Sequence, residues 1–583
     1  MGKSMNDIAE RSQKLVADFL KRQMDAGLTP PSFDPLNVGN AFFQMTARMM
    51  SDPAQLAQAQ MQLWQNYVSL WQQTTERMMG RTFEPVAEPE KGDRRFKDDA
   101  WNEDLVFDYI KQSYLLTARW MQSTVNDVEG LDPKTARKVD FYTRQFADAL
   151  APSNFVMTNP EVLRTTMESG GENLVNGLNN LLEDLDRGNG KLAIRMTDYD
   201  AFEIGRNIAV TPGKVVYQNK LMQLIQYTPT TEKVARRPLM IIPPWINKFY
   251  ILDLREKNSF IKWAVDQGHT VFVLSWVNPD ETLSEANFED YMTHGPLAAL
   301  DAIEQATGES DVNAIGYCLG GTLLACTLAV MKAREDDRIA SATYFTTMID
   351  FTDAGELSVF VDEEQLAALE TEMSQKGYLE GSSMATTFNM LRSNDLIWSF
   401  VVNNYLLGKE PFPFDLLYWN SDSTRMPAAM HIYYLRKMYQ ENKLVEPGGL
   451  TLLDTPIDLS TVDQPTFILS TKEDHIAPWK STYAATNIYG GPVKFCLSAS
   501  GHIAGVVNPP AAGKYCYWTN SRKNKDPDAW LKNATQHDGS WWPEWQSWIA
   551  KYTGGEVAAR QPGDGKLPAI EDAPGSYVKV TSN

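Results

Sequence analysis

Apolar residues recur at helical spacing in the first part of the chain. Ile8, Leu15 and Phe19 fall on one helical face, and Pro53 through Met79 predicts a long amphipathic helix rich in Gln, Met and Trp. EPVAEPEKGDRR interrupts this pattern as an exposed linker, and helix-like sequence then continues to about residue 185. We interpret the apolar stripes as packing surfaces in preference to a membrane or polymer surface. The pattern predicts a helical N-terminal domain at residues 1–190.

Short apolar runs alternate with helical segments from residue 191 onward. The runs are RPLMIIPPW, HTVFVLSWV, DVNAIGYC, IASATYFTTMIDF, PTFILSTKEDH and VKFCLSASGH. This alternation predicts an α/β fold with a mostly parallel sheet that is covered on both faces. Ahead of these runs, NIAVTPGKVVYQNKLMQLIQYTP predicts two strands joined by a turn at Pro212-Gly213.

A long apolar and aromatic region interrupts the alternation at about residues 352–450. It contains FNMLRSNDLIWSFVVNNYLLGKEPFPFDLLYWN, which is too long for a simple crossover between strands. We expect an inserted cap, or lid, over a site, with a plain extension of the core as the alternative. The chain ends in a Pro- and Gly-rich tail whose order depends on docking. The second domain is therefore predicted at residues 191–583, with the cap inside it.

The stretch Gly316-Tyr317-Cys318-Leu319-Gly320 follows an apolar strand and precedes a helix-forming run. This is the context of a nucleophile elbow, in which a strained turn presents the central side chain and the flanking residues must be small. The start of the following helix also favours a thiolate at Cys318. A buried structural cysteine beside packing glycines is the alternative.

Two further polar residues follow apolar strands near the end of the chain. Asp474 comes after PTFILST and His502 after VKFCLS, so the chain order is nucleophile, acid, histidine, as in the α/β-hydrolase arrangement. Open α/β sheets build their sites at the carboxyl ends of the strands, where all three residues are predicted to lie. His475 is a rival base, but it would compete with its neighbour Asp474 for the same space.

An acyl-transfer site also needs hydrogen-bond donors for the oxyanion. The backbone N–H of Leu319, directly after the nucleophile, is one candidate. The other is Ile246 in the loop after RPLMIIPPW, since Pro243 and Pro244 have no N–H to donate.

Composition narrows the function without deciding it. The net charge is −20 over 583 residues, which argues against nucleic-acid binding but allows a local basic pocket for an anionic ligand. The four cysteines contain no C-x-x-C pair, so reduced thiols in the cytosol are the expectation. We expect no secretory signal, no transmembrane segment and no metal site.

Five motifs together resemble the class I polyhydroxyalkanoate synthases, which have the α/β-hydrolase fold. They are PPWINKFYILDL, GYCLGGTLLA, NSDSTRMP, STKEDHIAPW and SGHIAGVVNPP, and the tail PGSYVKV also fits. The resemblance covers nearly all of the chain from about residue 90, with no departure at the candidate catalytic positions. It implies an acyltransferase that polymerises (R)-3-hydroxyacyl-CoA, such as short-chain 3-hydroxybutyryl-CoA, into polyester and releases CoA.

The resemblance also implies roles and partners. Cys318 would be the acylated nucleophile, His502 the base and Asp474 the third member, and whether Asp474 contacts the substrate hydroxyl stays open. The expected setting is a cytoplasmic homodimer on polyester granules, in contact with the growing chain and with granule-associated proteins. No resident cofactor is implied, since CoA is a substrate moiety and a product. Arg392 is a candidate contact for the CoA phosphates, with a salt-bridged structural role as the alternative.

Two other functions fit the same residues. One is a thioesterase or intracellular polyester depolymerase on the same fold, and the other is a non-catalytic granule or scaffold protein that uses the N-terminal helices. A cysteine that attacks a thioester forms another thioester and keeps the acyl group activated, which favours synthesis.

Overall fold

The computed structural model describes residues 38–51, 53–81 and 84–582. The chain divides into two compact units, one formed by Met1–Asp198 with Phe388–Phe412 and the other by Tyr199–Thr387 with Pro413–Asn583. The apolar face predicted at Ile8, Leu15 and Phe19 lies outside the described residues. No helix in the three described ranges is both long and apolar enough to span a membrane.

The helical unit begins its helices at polar capping residues. The Asp104 carboxylate accepts from two N–H groups of the helix that it precedes, and Asp132 and Asn159 stand directly before helices that start with proline. The helices are Val38–Ser51, Pro53–Met78, Ala100–Glu103, Leu105–Asn126, Pro133–Ala149, Pro160–Glu168 and Glu172–Arg187. The long helix predicted from Pro53 is confirmed. The predicted linker at 84–95 is largely irregular, but its Ala87 is buried against the helices.

Residues 388–412, which the sequence placed inside the cap, pack on one helix of the helical unit. Asn173 and Asn180 of the helix Glu172–Arg187 donate side-chain hydrogen bonds to the carbonyls of Leu406 and Asn404, at 2.7 and 3.0 Å. Between them lies Gly177, where any Cβ would overlap the Tyr405 carbonyl. Residues 388–412 of the insertion therefore belong to the helical unit, and the rest of the insertion belongs to the other unit.

The other unit is built on a large sheet. The strands of this unit are β1 (Gly213–Gln218), β2 (Met222–Tyr227), β3 (Lys233–Ala235), β4 (Leu239–Ile242), β5 (Val271–Trp276), β6 (Val312–Tyr317), β7 (Ile339–Phe345), β8 (Tyr378–Leu379), β9 (Met426–Pro427), β10 (Thr451–Leu452), β11 (Thr455–Pro456), β12 (Thr466–Thr471), β13 (Val493–Ser498), β14 (Cys516–Thr519), β15 (Thr535–Asp538), β16 (Glu556–Ala558) and β17 (Glu571–Asp572). Over the described residues the order of the large sheet is β15-β14-β13-β12-β7-β6-β4-β5-β2-β1-β17. The six neighbours from β13 to β5 are mutually parallel, and the flanking strands are antiparallel.

Helices cover the sheet on both faces. The central strands are apolar throughout, so the side chains on each face must be buried against a helical layer. Along β4, Leu239 and Ile241 enter one core cluster while Met240 and Ile242 enter the other. The predicted α/β fold with a mostly parallel sheet is confirmed. The helices of this unit are Phe260–Asp266, Phe288–Met292, Ala298–Thr307, Leu319–Ala333, Glu363–Lys376, Asp415–Ser421, Ala428–Tyr434, Trp479–Tyr483, Ala485–Ile488, Pro527–Lys532 and Trp542–Ile549, and Gly381–Leu391 crosses the boundary between units.

The turn predicted at Pro212-Gly213 is wrong. Gly213 already belongs to β1, and the connection to β2 is at residues 219–221, where the Asn219 side chain accepts from the N–H groups of Leu221 and Met222. An Asx turn therefore replaces the Pro-Gly turn that the composition suggested. The Pro- and Gly-rich tail is docked, since its β17 pairs with β1 at the sheet edge.

The aromatic helix Trp542–Ile549 generates a stability prediction. Trp545 is fully buried, donates from its indole N–H to the Thr343 hydroxyl at 3.0 Å and packs on Phe260. We expect Trp545→Ala to lower the free energy of unfolding by about 3–5 kcal/mol, because large-to-small core changes leave a cavity. Urea unfolding followed by circular dichroism checks this. Ser547→Ala, on the exposed face of the same helix, should change little, and an equal effect of both variants would contradict the packing argument.

Candidate active site

Cys318 stands at a sharp bend between β6 and the helix Leu319–Ala333. Its backbone has φ 51° and ψ −121°, a conformation that is strained for a residue with a Cβ. The bend is held on both sides, since the Cys318 N–H donates to the Phe345 carbonyl at 2.8 Å and its carbonyl accepts from the Gly321 and Thr322 N–H groups at 2.9 and 3.1 Å. This geometry is that of a nucleophile elbow.

The glycines around the bend are required by close packing. A Cβ at Gly316 would overlap Gly321, and a Cβ at Gly321 would overlap the Thr347 side chain. A Cβ at Gly320 would overlap the carbonyl oxygen of Ile242 at the end of β4. The helix after the elbow can therefore approach the sheet this closely only with glycine at these positions.

Asp474 and His502 form a buried pair at the carboxyl ends of β12 and β13. The His502 Nδ1 lies 2.7 Å from the Asp474 Oδ2, and the exposed fractions of the two side chains are 7% and 0%. The other carboxylate oxygen of Asp474 accepts from the backbone N–H groups of Ile476 and Ala477, at 2.9 and 2.8 Å. Since Nδ1 is engaged with the carboxylate, Nε2 is the ring nitrogen available to a substrate or thiol.

The electrostatics of the pair favour a protonated imidazole. Burial opposes the charge, but the Asp474 carboxylate and then the nearby Cys318 sulfur outweigh it and raise the pKa of His502 to about 10. Tyr317 makes two contacts with His502. Its hydroxyl donates to the His502 carbonyl at 3.2 Å, and the two rings stack with centroids 5.9 Å apart. The structure thus brings the three predicted residues Cys318, Asp474 and His502 together at one edge of the sheet.

The two predicted oxyanion donors lie on neighbouring segments. Leu319 is the first residue of the helix after Cys318, so its N–H has no acceptor within that helix. The helix start meets the end of β4 at Gly320, and the loop that leaves β4 carries Ile246. The assignment of these two N–H groups as oxyanion donors stays a prediction.

Aromatic residues near Cys318 were not predicted from the sequence. Tyr434 and Tyr439 are buried with ring centroids 5.5 Å apart, and Phe351 lies 5.0 Å from Tyr439. Burial chiefly, with the Cys318 sulfur adding to it, raises the pKa of both tyrosines. The only sequence signal was the aromatic run HIYYLRKMY in the insertion, which resembles any core segment.

The remaining candidates lie elsewhere or have other contacts. The position beside Asp474 is taken by His502, whereas the carbonyl of His475 accepts from the Glu356 N–H at 3.3 Å. Arg392 belongs to the helical unit and pairs with Asp395, so its contact with CoA stays a prediction. Burial raises the pKa of the Cys326 thiol to about 12, in keeping with a core cysteine.

The fold and the site define the class of the protein as an α/β-hydrolase-fold enzyme with a cysteine at the elbow. A family model described as alpha/beta hydrolase fold matches residues 243–509. A second model, described as Poly-beta-hydroxybutyrate polymerase (PhaC) N-terminus, matches residues 92–264.

Curated relatives make the assignment more specific. The chain is 54% identical to the poly(3-hydroxyalkanoate) polymerase subunit PhaC of Rhizobium meliloti (strain 1021), over 91% of this chain and 87% of the relative. It is 53% identical to the poly(3-hydroxyalkanoate) polymerase of Methylorubrum extorquens, over 91% and 88%. It is 44% identical to the PhaC subunit of Cupriavidus necator, over 91% and 89%. The chain belongs to the poly(3-hydroxyalkanoate) polymerase family of acyltransferases, which confirms the resemblance.

The close packing at the elbow predicts the effect of one added methyl group. Gly320→Ala should destabilise the protein by about 1–3 kcal/mol, because the new Cβ meets the Ile242 carbonyl within a paired strand that cannot yield. Thermal unfolding measures this. Gly513, unlike Gly320, has a positive φ and open space around it, so Gly513→Ala bears only the backbone cost of about 1 kcal/mol. A smaller effect at Gly320 than at Gly513 would contradict the packing argument.

The two groups that raise the pKa of His502 predict an ordered series of titrations. Both Cys318→Ala and Asp474→Asn should lower the pKa of His502, and Asp474→Asn should lower it more because the carboxylate contributes most of the upward shift. NMR titration of histidine-labelled protein measures the values. Cys516→Ala should leave the titration unchanged, since Cys516 lies on β14. A larger effect of Cys318→Ala than of Asp474→Asn would refute the assignment of causes.

Proposed function

We propose that the protein polymerises short-chain (R)-3-hydroxyacyl-CoA, such as 3-hydroxybutyryl-CoA, into polyester through a thioester on Cys318. The observation that carries the proposal is the buried Asp474–His502 pair at 2.7 Å beside the elbow cysteine. The description of the N-terminal family model names a poly-beta-hydroxybutyrate polymerase, and this supports a short acyl chain. The (R)-hydroxyacyl-CoA substrate follows from the same resemblance.

In the acylation step the sulfur of Cys318 attacks the thioester carbonyl carbon of the substrate. His502 holds the proton that leaves the thiol, and Asp474 orients the imidazole and stabilises its charge. A C–S bond forms to Cys318, and the carbonyl oxygen becomes an oxyanion that the N–H groups of Leu319 and Ile246 stabilise. When the C–S bond to CoA breaks, the proton passes from His502 to the departing thiolate. Exchange of one thioester for another keeps the acyl group activated.

In the elongation step the 3-hydroxyl group of an incoming substrate or of the growing chain attacks the carbonyl carbon of the thioester on Cys318. His502 accepts the hydroxyl proton while the new C–O ester bond forms, and the proton returns to Cys318 as the C–S bond breaks. The polymer is then one unit longer and the thiol is free again. Water must be kept from the acyl-enzyme, because hydrolysis would end the chain. The buried aromatic residues Phe351, Tyr434 and Tyr439 suit that requirement.

The setting of the reaction is part of the proposal. The resemblance supports a homodimer in the cytoplasm, attached to polyester granules and in contact with granule-associated proteins. The protein side chains and backbone amides named above carry out each step of the scheme. The CoA moiety enters with the substrate and leaves as the product.

Replacement of the nucleophile tests the mechanism. Cys318→Ala should abolish CoA release from 3-hydroxybutyryl-CoA and the acyl adduct seen by mass spectrometry after brief exposure to substrate. The reason is that the other three cysteines, all within the described residues, lie inside a helix or a strand and not at an elbow. Cys516→Ala, at a half-buried cysteine on β14, should keep both. An adduct that persists in Cys318→Ala would contradict the proposal. Wild-type protein that releases no CoA at all would favour the non-catalytic scaffold interpretation.

The nature of the product separates polymerase from hydrolase. The wild-type protein incubated with 3-hydroxybutyryl-CoA should yield insoluble polyester together with the released CoA. Soluble 3-hydroxybutyrate in an amount equal to the CoA would instead identify a thioesterase on the same fold.

A further inference from the structure

A second segment of the chain grips the loop that carries Ile246. We call residues 245–248 the donor loop and residues 419–424 the clasp segment. Asn247 forms an antiparallel bridge with Ser423, and the Trp419 indole N–H donates to the Lys248 carbonyl at 2.7 Å. The two segments are far apart in the sequence, yet every residue of the donor loop contacts the clasp segment.

Thr424 of the clasp segment fixes the peptide plane that contains the Ile246 N–H. Its hydroxyl lies 2.5 Å from the Trp245 carbonyl oxygen and 2.7 Å from the Ile246 carbonyl oxygen. The Trp245 carbonyl and the Ile246 N–H belong to one planar trans peptide and point in opposite directions. When Thr424 holds that carbonyl, the Ile246 N–H must face away from the clasp segment.

A buried ion pair joins the same two segments. The Lys248 Nζ lies 2.6 Å from the Asp422 Oδ1, with exposed fractions of 3% and 10% for the two side chains. The Tyr250 hydroxyl donates to the other carboxylate oxygen at 2.8 Å. Burial lowers the pKa of Lys248 and raises the pKa of Asp422, and the charge of each partner opposes the shift of the other.

Stability alone does not account for such a pair. Desolvation of two charges costs about as much as their attraction returns, and apolar replacements of buried pairs are often neutral or stabilising. An ion pair does specify one geometry, because its partners must meet at hydrogen-bond distance. The Lys248–Asp422 pair lies at the end of the donor loop. By fixing the position of that end, it helps to set the direction of the Ile246 N–H.

We propose that Lys248 and Asp422 are positioning residues that seat the clasp segment on the donor loop and so aim the Ile246 N–H at the developing oxyanion. The inference rests on the proposed function, in which Ile246 is one of the two donors. Neither charged group touches the substrate, and both act through Thr424 and the backbone.

Two reactions of Cys318 distinguish this role from a general structural one. Alkylation by iodoacetamide displaces iodide at a saturated carbon and needs no oxyanion donor, whereas acylation by 3-hydroxybutyryl-CoA passes through a tetrahedral oxyanion. In Lys248→Met the acylation rate should fall toward the ~10²-fold loss typical of one missing donor. The alkylation rate should stay within about twofold of wild type, since the elbow and His502 are unchanged. Rapid-quench mass spectrometry of the Cys318 peptide measures both rates.

Two further variants keep the test decisive. Thr424→Val removes the hydroxyl that holds the Trp245 carbonyl without leaving a buried charge unpaired, and it should show the same selective loss. Lys332→Met is the matched control, because Lys332 and Asp463 also pair at 2.6 Å but are 34% and 55% exposed. It should leave both rates unchanged.

The outcomes separate this inference from the proposed function. Equal losses of alkylation and acylation in Lys248→Met and Thr424→Val would reduce the clasp segment to a structural role and overturn the inference. Unchanged acylation in both variants would overturn it as well. Wild-type protein that is alkylated but never acylated at Cys318 would refute the proposed function itself, and the inference with it.

Discussion

The backbone conformation of Cys318 is the constraint on which the rest of the site depends. A residue with a Cβ at φ 51° and ψ −121° costs about 1–3 kcal/mol relative to relaxed backbone, so its surroundings must hold it there. The Phe345 carbonyl and the first turn of the following helix do this from opposite sides. The helix can lie so close only because Gly316, Gly320 and Gly321 have no side chains. Strain at one residue is thus maintained by close contact across three neighbouring strands.

The buried Asp474 carboxylate is held in place by hydrogen bonds from several directions. Asp474 is fully buried, yet its carboxylate meets two backbone N–H groups, the Thr471 hydroxyl and the His502 ring. These hydrogen bonds compensate the carboxylate for the water that it loses on burial. The imidazole can then hold a proton despite its burial. The close packing around the site keeps the His502 ring and the Cys318 sulfur in fixed positions. This suits a reaction in which a proton passes repeatedly to and from His502.

Segments distant in sequence complete the site and the helical unit. Residues 419–424 seat the donor loop, and Tyr434 and Tyr439 lie close to the sulfur. Residues 388–412, between these segments and β7, instead pack on the helix Glu172–Arg187, where the Tyr405 hydroxyl donates to the buried Asp184 at 2.6 Å. One continuous insertion therefore contributes residues to both units, and its parts pack against different elements.

The sequence by itself determined the central strands of the sheet, the elbow and the chain order of Cys318, Asp474 and His502. Those features are local, because apolar runs, glycine spacing and the residue after each strand depend only on near neighbours in the chain. The turn at residues 219–221 was missed, since Pro-Gly and Asn signals compete within a few residues. Only the tertiary structure decided that His502 lies beside Asp474, that Tyr434 and Tyr439 approach the sulfur, and that the insertion is divided. These outcomes depend on contacts between residues 28 to 233 positions apart in the chain, and neither periodicity nor composition records such contacts.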